Sequence, residues 1–451
     1  MPITDKTKLD ESESFSRRIA RGSFWVLTLR FTNRGLGFIR TIILARLLAP
    51  SDFGLLGLAM LAITTLETFS ETGFSAAIIQ KKDDAESYFD TAWTVSAVRG
   101  ILLFLILYSL APAISKFFNS PNSVIVIRII AISTLLGGFN NIAILVFQKE
   151  LKFRTIFFYE LSVSFIDLLV SIFLAFLLKS VWALVWGGMA AQLVKLILSY
   201  LLHSYRPKIS LEREKFFELF SFGKWIFISS IMIFFSTKGD DIIVGKILGV
   251  AALGLYQMAF TLSNLPATEI SQMISKVTFS AYSKIQDNRS RLKATYLRVL
   301  KITASISIPM VGCIFVMAPE FTYLFLSQKW MSAVPAMKIL ALSGLIRAII
   351  STMSPVFASI KQPEINTKCQ IVRLVFLAIL IYPLAKSWGI LGASYSVLFS
   401  GLMAAILFSY NLIKIEIIPL KQFINTLVIP TISTLIVLLF LFVFKTYVQI
   451  V

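Results

Sequence analysis

The chain alternates between long apolar runs and short polar stretches. Most of the apolar runs reach or exceed the roughly 20 residues that a helix needs to cross a lipid bilayer. The pattern predicts an all-α polytopic membrane protein, because a helix satisfies all its backbone hydrogen bonds within hydrocarbon. The predicted spans cover residues 22–47, 53–79, 91–113, 123–147, 156–178, 181–203, 219–247, 253–275, 299–318, 334–359, 370–386, 389–412 and 425–449.

The polar stretches divide these spans into groups. Residues 1–21 are predicted to be a cytoplasmic N-terminal segment, followed by an N-lobe of six spans at 22–203. A cytoplasmic linker at 204–218 leads to a C-lobe of six spans at 219–412. Residues 413–451 hold a cytoplasmic loop and one extra span. Whether the spans number 12, 13 or 14 is left open.

The composition excludes a soluble protein of this length. Hydrophobic residues make up 57% of the 451 residues and charged residues only 15%, against about 25% charged in typical soluble domains. With two cysteines, the chain is not a disulfide scaffold. No catalytic, metal-binding or cofactor-binding cluster stands out, and the only histidine, His203, is isolated.

Most of the net charge of +19 is explained by the orientation of the chain in the membrane. If the N-terminus is cytoplasmic, roughly 27 basic residues fall on the cytoplasmic side and about seven on the other. Lys81, Lys82 and Arg373 are counted there among the cytoplasmic loops. The bias predicts a multi-pass protein of the cytoplasmic (inner) membrane, and no nucleic-acid partner is needed to explain the charge.

Two stretches of the chain resemble each other at an offset of 200 residues. Ala45–Ala59 aligns without gaps to Gly245–Ala259, and Trp25 aligns with Trp225. A shorter echo relates the start of the sixth span to that of the twelfth. Six spans separate the copies, so the repeat is parallel and predicts two similarly oriented six-helix lobes, as in transporters with central sites.

The first span carries Arg30, Arg34 and Arg40 within a third of its circumference, and no acid. Each arginine at mid-bilayer costs about 2.5–3.5 kcal/mol on insertion scales, so the stripe must face protein or a wet cavity. Two interpretations stay open. The arginines form buried ion pairs, for instance Arg30 or Arg34 with Glu67 or Glu71, or they line a cationic cavity for an anionic headgroup.

Further charged residues lie within predicted spans. Arg99 and Arg347 are candidate substrate ligands of the same cavity. Asp240, Asp241, Lys238 and Glu67 are candidates for gating or ion coupling, and Na⁺ or H⁺ would be the coupling ion. By the repeat, Asp240 occupies the place of Arg40.

The stretches GLGFIRTIILARLLAPSDFGLLGLA, ETGFSAAIIQKKD and DDIIVGKILGVAALGLYQMAF resemble the polysaccharide transporters. These are the O-antigen and exopolysaccharide flippases of the multidrug/oligosaccharidyl-lipid/polysaccharide exporter superfamily. The resemblance implies two lobes around a central cavity, alternating access, and transport of a polyprenyl-pyrophosphate-linked oligosaccharide. It also implies that Arg30, Arg34 and Arg40 lie near the pyrophosphate. The expected partners are the lipid-linked oligosaccharide, membrane lipids, and the polysaccharide polymerase with its chain-length machinery.

Two other functions are kept as alternatives. A cation-coupled multidrug antiporter of the same superfamily would need an acidic and aromatic site, whereas the first span is basic. A membrane glycosyltransferase or polymerase would need catalytic carboxylates or a sizeable external loop. The sequence therefore favours a transporter that is not an enzyme.

Overall fold

A computed structural model describes the backbone at residues 4–80, 85–415 and 417–450. Side chains are described there except at 4–21, 23, 85, 219–226, 228–229, 265–277 and 440–450. Lys81, Lys82 and the side chains of the predicted N-terminal segment thus lie outside the described residues. Within the described ranges all regular structure is helical, and the predicted all-α class is confirmed.

Fourteen α-helices are formed by the described residues. They are α1 (Thr4–Leu47), α2 (Pro50–Phe69), α3 (Phe74–Gln80), α4 (Phe89–Phe117), α5 (Ser123–Gly138), α6 (Ile144–Lys149), α7 (Phe153–Leu178), α8 (Trp182–Leu201), α9 (Arg213–Leu248), α10 (Val250–Ile285), α11 (Arg289–Phe321), α12 (Val334–Ser359), α13 (Pro363–Lys414) and α14 (Leu420–Ile450). Eight helical segments in these ranges are long and apolar enough to cross a membrane. The first helix is not among them, since its arginines lower its hydropathy.

Two predicted spans are interrupted. The run 53–79 breaks between α2 and α3 at Gly73, whose φ of 68° lies in the left-handed region that favours glycine. The run 123–147 breaks after α5, and a short helix follows.

The stretch labelled α13 covers two predicted spans and consists of two helical segments. They are joined at Trp388 and Gly389, whose backbone angles are non-helical, and Gly389 has a φ of 59°. A Cβ atom on Gly392 would overlap the backbone carbonyl of Leu384. The chain therefore reverses tightly here, and the glycine allows the backbone on the two sides to touch.

The chain divides into two compact units, Met1–Phe234 and Phe235–Val451. The helix α9 begins in the first unit and ends in the second. The helix breaks after Leu47 and after Leu248 fall at equivalent positions of the proposed repeat. That agreement supports the repeat, although the two-lobe arrangement and the domain bounds derived from the sequence stay predictions.

In the N-terminal unit, α7 packs against α1 and α8, and α4 packs against α5. A buried cluster of Leu44, Leu48, Ala175 and Leu184 joins the ends of α1, α7 and α8. The α4–α5 contact is close, because a Cβ on Gly100 would lie 2.8 Å from the Cα of Gly138.

The segment that follows α8 is held against the start of α4. Asp90 accepts hydrogen bonds from the Tyr205 hydroxyl and from the backbone N–H of Lys208, the latter at 2.9 Å. Thr94 Oγ1 accepts from the N–H of Ser210 at 3.1 Å. Burial, followed by the neighbouring Asp90 carboxylate, raises the pKa of Tyr205 above its usual value. The first part of the predicted cytoplasmic linker is therefore bound to the start of α4.

In the C-terminal unit, α12 is central and packs against α10, α11 and α13. Its core includes Tyr282, Tyr296, Phe357 and Phe408, all fully buried. Large apolar side chains such as Leu435 lie on the outside. An apolar exterior of this kind suits a protein whose surroundings are hydrocarbon.

Gly392→Ala should destabilise the protein by about 1–3 kcal/mol, because the backbone must move to relieve the overlap with Leu384. The measurement is thermal unfolding of the purified protein in detergent. Gly188→Ala is the matched control, since nothing lies within 4 Å of a Cβ at that helical glycine. Equal midpoints for the two variants would contradict the tight reversal.

Candidate functional site

A half-buried ion pair holds Arg40, the last arginine of the stripe. Arg40 Nη2 of α1 lies 3.0 Å from Asp167 Oδ1 of α7. The Ser171 hydroxyl accepts hydrogen bonds from Arg40 Nε at 3.3 Å and Nη2 at 3.1 Å, and it donates to Asp167 at 3.1 Å. The three side chains form one connected network, which satisfies charges that would otherwise be costly in a dry environment.

Gly187 of α8 makes room for this network. A Cβ at that position would overlap Ser171 Oγ and would lie 3.1 Å from Asp167 Oδ1. A larger residue would push α8 away from α7 or displace Ser171. The contact connects Gly187 of α8 to the arginine stripe of α1 through Ser171 and Asp167.

The other two arginines of the stripe differ from Arg40. The Arg34 side chain is exposed and that of Arg30 is half-buried. Within the described part of the chain, Arg30 has no ion pair, so its suggested pairing with Glu67 or Glu71 is not found. The stripe therefore combines one arginine that is held by an acid with one that has its hydrogen-bonding groups available.

Arg99 of α4 binds the C-terminal end of α2. Its Nε donates to Ser70 Oγ at 2.9 Å and its Nη2 donates to the backbone carbonyl of Glu67 at 2.8 Å. A guanidinium at this position adds a hydrogen bond to a carbonyl of the last helical turn and complements the helix dipole. Arg99 thus positions the end of α2, where the Glu67 carboxylate enters a polar cavity.

In the C-terminal unit two adjacent acids of α9 are buried, each about 5% exposed. Asp241 is 3.2 Å from Lys238 Nζ and accepts a hydrogen bond from Gln257 at 3.2 Å. Asp240 accepts one from the Tyr256 hydroxyl at 2.7 Å. The structure thereby brings together Lys238, Asp240 and Asp241, which the sequence had grouped only by neighbourhood in the chain.

Two arginines interact electrostatically with Asp240. Arg347 of α12 does so and also lies over the Phe260 ring, with its Cζ 5.4 Å from the ring centroid. Arg373 is the second. Counting Arg373 as a loop residue was wrong, because it lies well inside α13 and bonds to Gln370. The sequence indicated this helical position, since Arg373 lies three residues inside the predicted span 370–386.

The fold is similar to those of two solved membrane transporters. A lipid II flippase, MurJ, in an inward closed conformation superimposes with a TM-score of 0.71 at 19% identity over 93% of this chain and 92% of that one. An inward-facing multidrug resistance transporter of the MATE family gives 0.63 at 20% identity over 84% and 94%. At such identities the likeness concerns the fold alone.

The sequence match is more specific than the fold. The family model described as "Polysaccharide biosynthesis protein" matches residues 43–335, and the chain belongs to that family. The lipopolysaccharide biosynthesis protein WzxC of Escherichia coli (strain K12) is 23% identical over 89% of this chain and 82% of its own length. The resemblance drawn from the sequence is thereby confirmed.

Removing one partner of the Arg40–Asp167 pair should destabilise the protein by about 1–3 kcal/mol, since the other charge loses its hydrogen-bonding partner at a half-buried site. Arg40→Met and Asp167→Leu should each lower the unfolding midpoint in detergent. The double variant should recover most of the loss, because neither charge remains. Additive losses in the double variant would show that the pair is not the stabilising contact.

Proposed function

We propose that the protein is a flippase that moves a polyprenyl-pyrophosphate-linked oligosaccharide across the cytoplasmic membrane by alternating access. The observation that carries this proposal is the difference between two arginines of the α1 stripe. Arg40 is neutralised by Asp167 at 3.0 Å, whereas half-buried Arg30 has no ion pair within the described residues. An anionic ligand would supply the counter-charge that Arg30 lacks.

The chemistry of a pyrophosphate fits this arrangement. A charged headgroup cannot enter hydrocarbon without compensation, and guanidinium groups match phosphate oxygens with paired, charge-assisted hydrogen bonds. Arg30 and Arg34 are neighbours on one face of α1, so both can contact one headgroup. In this role Arg40, whose charge is compensated by Asp167, holds α1 on α7 and is not the main ligand.

The remaining predicted site residues take supporting roles in the proposal. Arg99 positions the end of α2, and Arg347 adds positive charge in the C-terminal unit. Asp240 and Asp241 are adjacent buried acids, and Lys238 pairs with Asp241. This group is suited to gating or to coupling with H⁺ or Na⁺, and Glu67 is a second candidate for that role. Such coupling would bias the two conformations through differential affinity.

The family match supports a polysaccharide precursor as the cargo, with the lipid-linked oligosaccharide and membrane lipids as partners. The polysaccharide polymerase and chain-length machinery are proposed as further partners. The cytoplasmic membrane, with a cytoplasmic N-terminus, is the proposed location. It follows from the basic residues of the loops.

The two alternatives are less supported. The multidrug antiporter shares the fold, but fold does not decide function, and the family match is to polysaccharide biosynthesis. A cationic drug would also meet the arginines of α1 unfavourably. A membrane glycosyltransferase or polymerase is disfavoured by the transporter fold.

Arg30→Gln with Arg34→Gln should reduce complementation of a flippase-deficient strain by at least about tenfold, since two charge-assisted hydrogen-bonding groups are lost. The readout is surface polysaccharide, normalised to the amount of protein in the membrane. Arg128→Gln is the matched control, because this half-buried arginine lies outside the stripe and over the Tyr108 ring, 4.6 Å from its centroid.

Full activity of the double variant would refute the anion-binding role of the stripe. A drug-resistance assay in the same strain separates the alternatives. Resistance conferred by the wild-type protein, without complementation of polysaccharide export, would support the antiporter.

A further inference from the structure

The N-terminal unit contains a polar cavity of about 470 Å³. It lies beside the end of α2 and the start of α4, which the predicted orientation places toward the cytoplasm. Among its lining residues are Glu67, Ser75, Arg99, Asn140, Glu160 and Lys195. Its volume falls within the range of small-molecule sites, about 300–1,000 Å³.

Two glycines lie in one wall of this cavity, where α4 and α5 pack closely together. Gly100 and Gly138 both line it. A Cβ on Gly138 would meet the backbone carbonyl of Ser96 at 2.7 Å. The two helices therefore touch through their backbones at this wall of the cavity.

The cavity contains hydrogen-bond acceptors that receive no donor from the protein. Arg99 uses its Nε and Nη2 on the end of α2. Lys195 Nζ is 3.7 Å from Glu160, an ion pair longer than a hydrogen bond. The buried Oδ1 atom of Asn140 has no hydrogen-bond partner, and Glu67 is an exposed residue whose carboxylate makes no hydrogen bond to a described residue. The buried Asn140 oxygen in particular calls for a donor from a ligand.

The charges of the cavity argue for a neutral ligand. Glu67 and Glu160 are matched in number by Arg99 and Lys195, so neither a cation nor an anion is favoured overall. Carboxylate and carboxamide oxygens accept hydrogen bonds from hydroxyl groups. A neutral ligand with several hydroxyl donors would satisfy the unpaired acceptors and leave the charges balanced.

We propose that this cavity binds a neutral sugar of the hexose or N-acetylhexosamine type through its hydroxyl groups. Its identification with a sugar of the transported oligosaccharide rests on the proposed flippase function. The site is separate from the arginine stripe of α1, so the headgroup and a sugar would be recognised by different side chains.

Protection of an introduced cysteine tests the site. Cys313 and Cys369 are first replaced by Ser, and Ser75→Cys is added, since exposed Ser75 lines the cavity. The purified full-length protein in nanodiscs reacts with a water-soluble thiol reagent, with D-galactose, N-acetyl-D-glucosamine or glycine betaine present at high millimolar concentration. At least one sugar should slow labelling by about threefold or more, because a weak ligand at this concentration occupies most of the sites. Betaine should not slow labelling.

Ser290→Cys in the same background is the matched control. Ser290 is an exposed serine at the start of α11, in the other unit, and its labelling should not respond to sugar. Asn140→Ala, combined with Ser75→Cys, should abolish protection while labelling without sugar stays unchanged. Failure of both sugars to protect, or protection that survives Asn140→Ala, would overturn the proposal and leave a cavity that holds only water.

Complementation of the flippase-deficient strain by the wild-type protein separates the two proposals. Complementation without sugar protection would refute the sugar site and retain the flippase. Sugar protection without complementation would retain the site and refute the flippase.

Discussion

Charge that is buried in apolar helices needs a partner, and this constraint shapes the structure more than any other. Arg40 satisfies it through Asp167 at 3.0 Å and the Ser171 hydroxyl. The pair joins α1 to α7, and Gly187 lets α8 close over it. A single electrostatic requirement therefore sets the packing of three helices, because a lone charge at this depth would cost several kcal/mol.

The same constraint distinguishes charges that the protein itself compensates from charges that a ligand can compensate. Arg99 caps α2, and Lys238 pairs with Asp241 at 3.2 Å. These groups are already compensated by the protein. Arg30 lacks such compensation among the described residues, and the buried Oδ1 of Asn140 lacks a donor. Polar groups that the fold leaves unsatisfied indicate where ligands of opposite character bind.

Much of the fold could be predicted from the sequence, since hydropathy and helix length respond to the same membrane thickness. Each predicted span is mainly helical within the described ranges, with breaks inside the runs 53–79 and 123–147. The breaks were harder to predict. Gly73 and Gly389 adopt left-handed backbone angles, but glycine also occurs in unbroken helices. Arg373 was placed in a loop because a basic residue near a span end is ordinarily solvated there.

The sequence by itself determined the helical membrane class, the family resemblance and the candidate charges, because these depend on composition and on order along one helix. Only the tertiary structure decided that Arg40 pairs with Asp167, that Arg99 caps a neighbouring helix and that Arg373 approaches Asp240. These contacts join residues more than 25 positions apart. Their partners are selected by the rotation and spacing of packed helices, which hydropathy along a single chain does not encode.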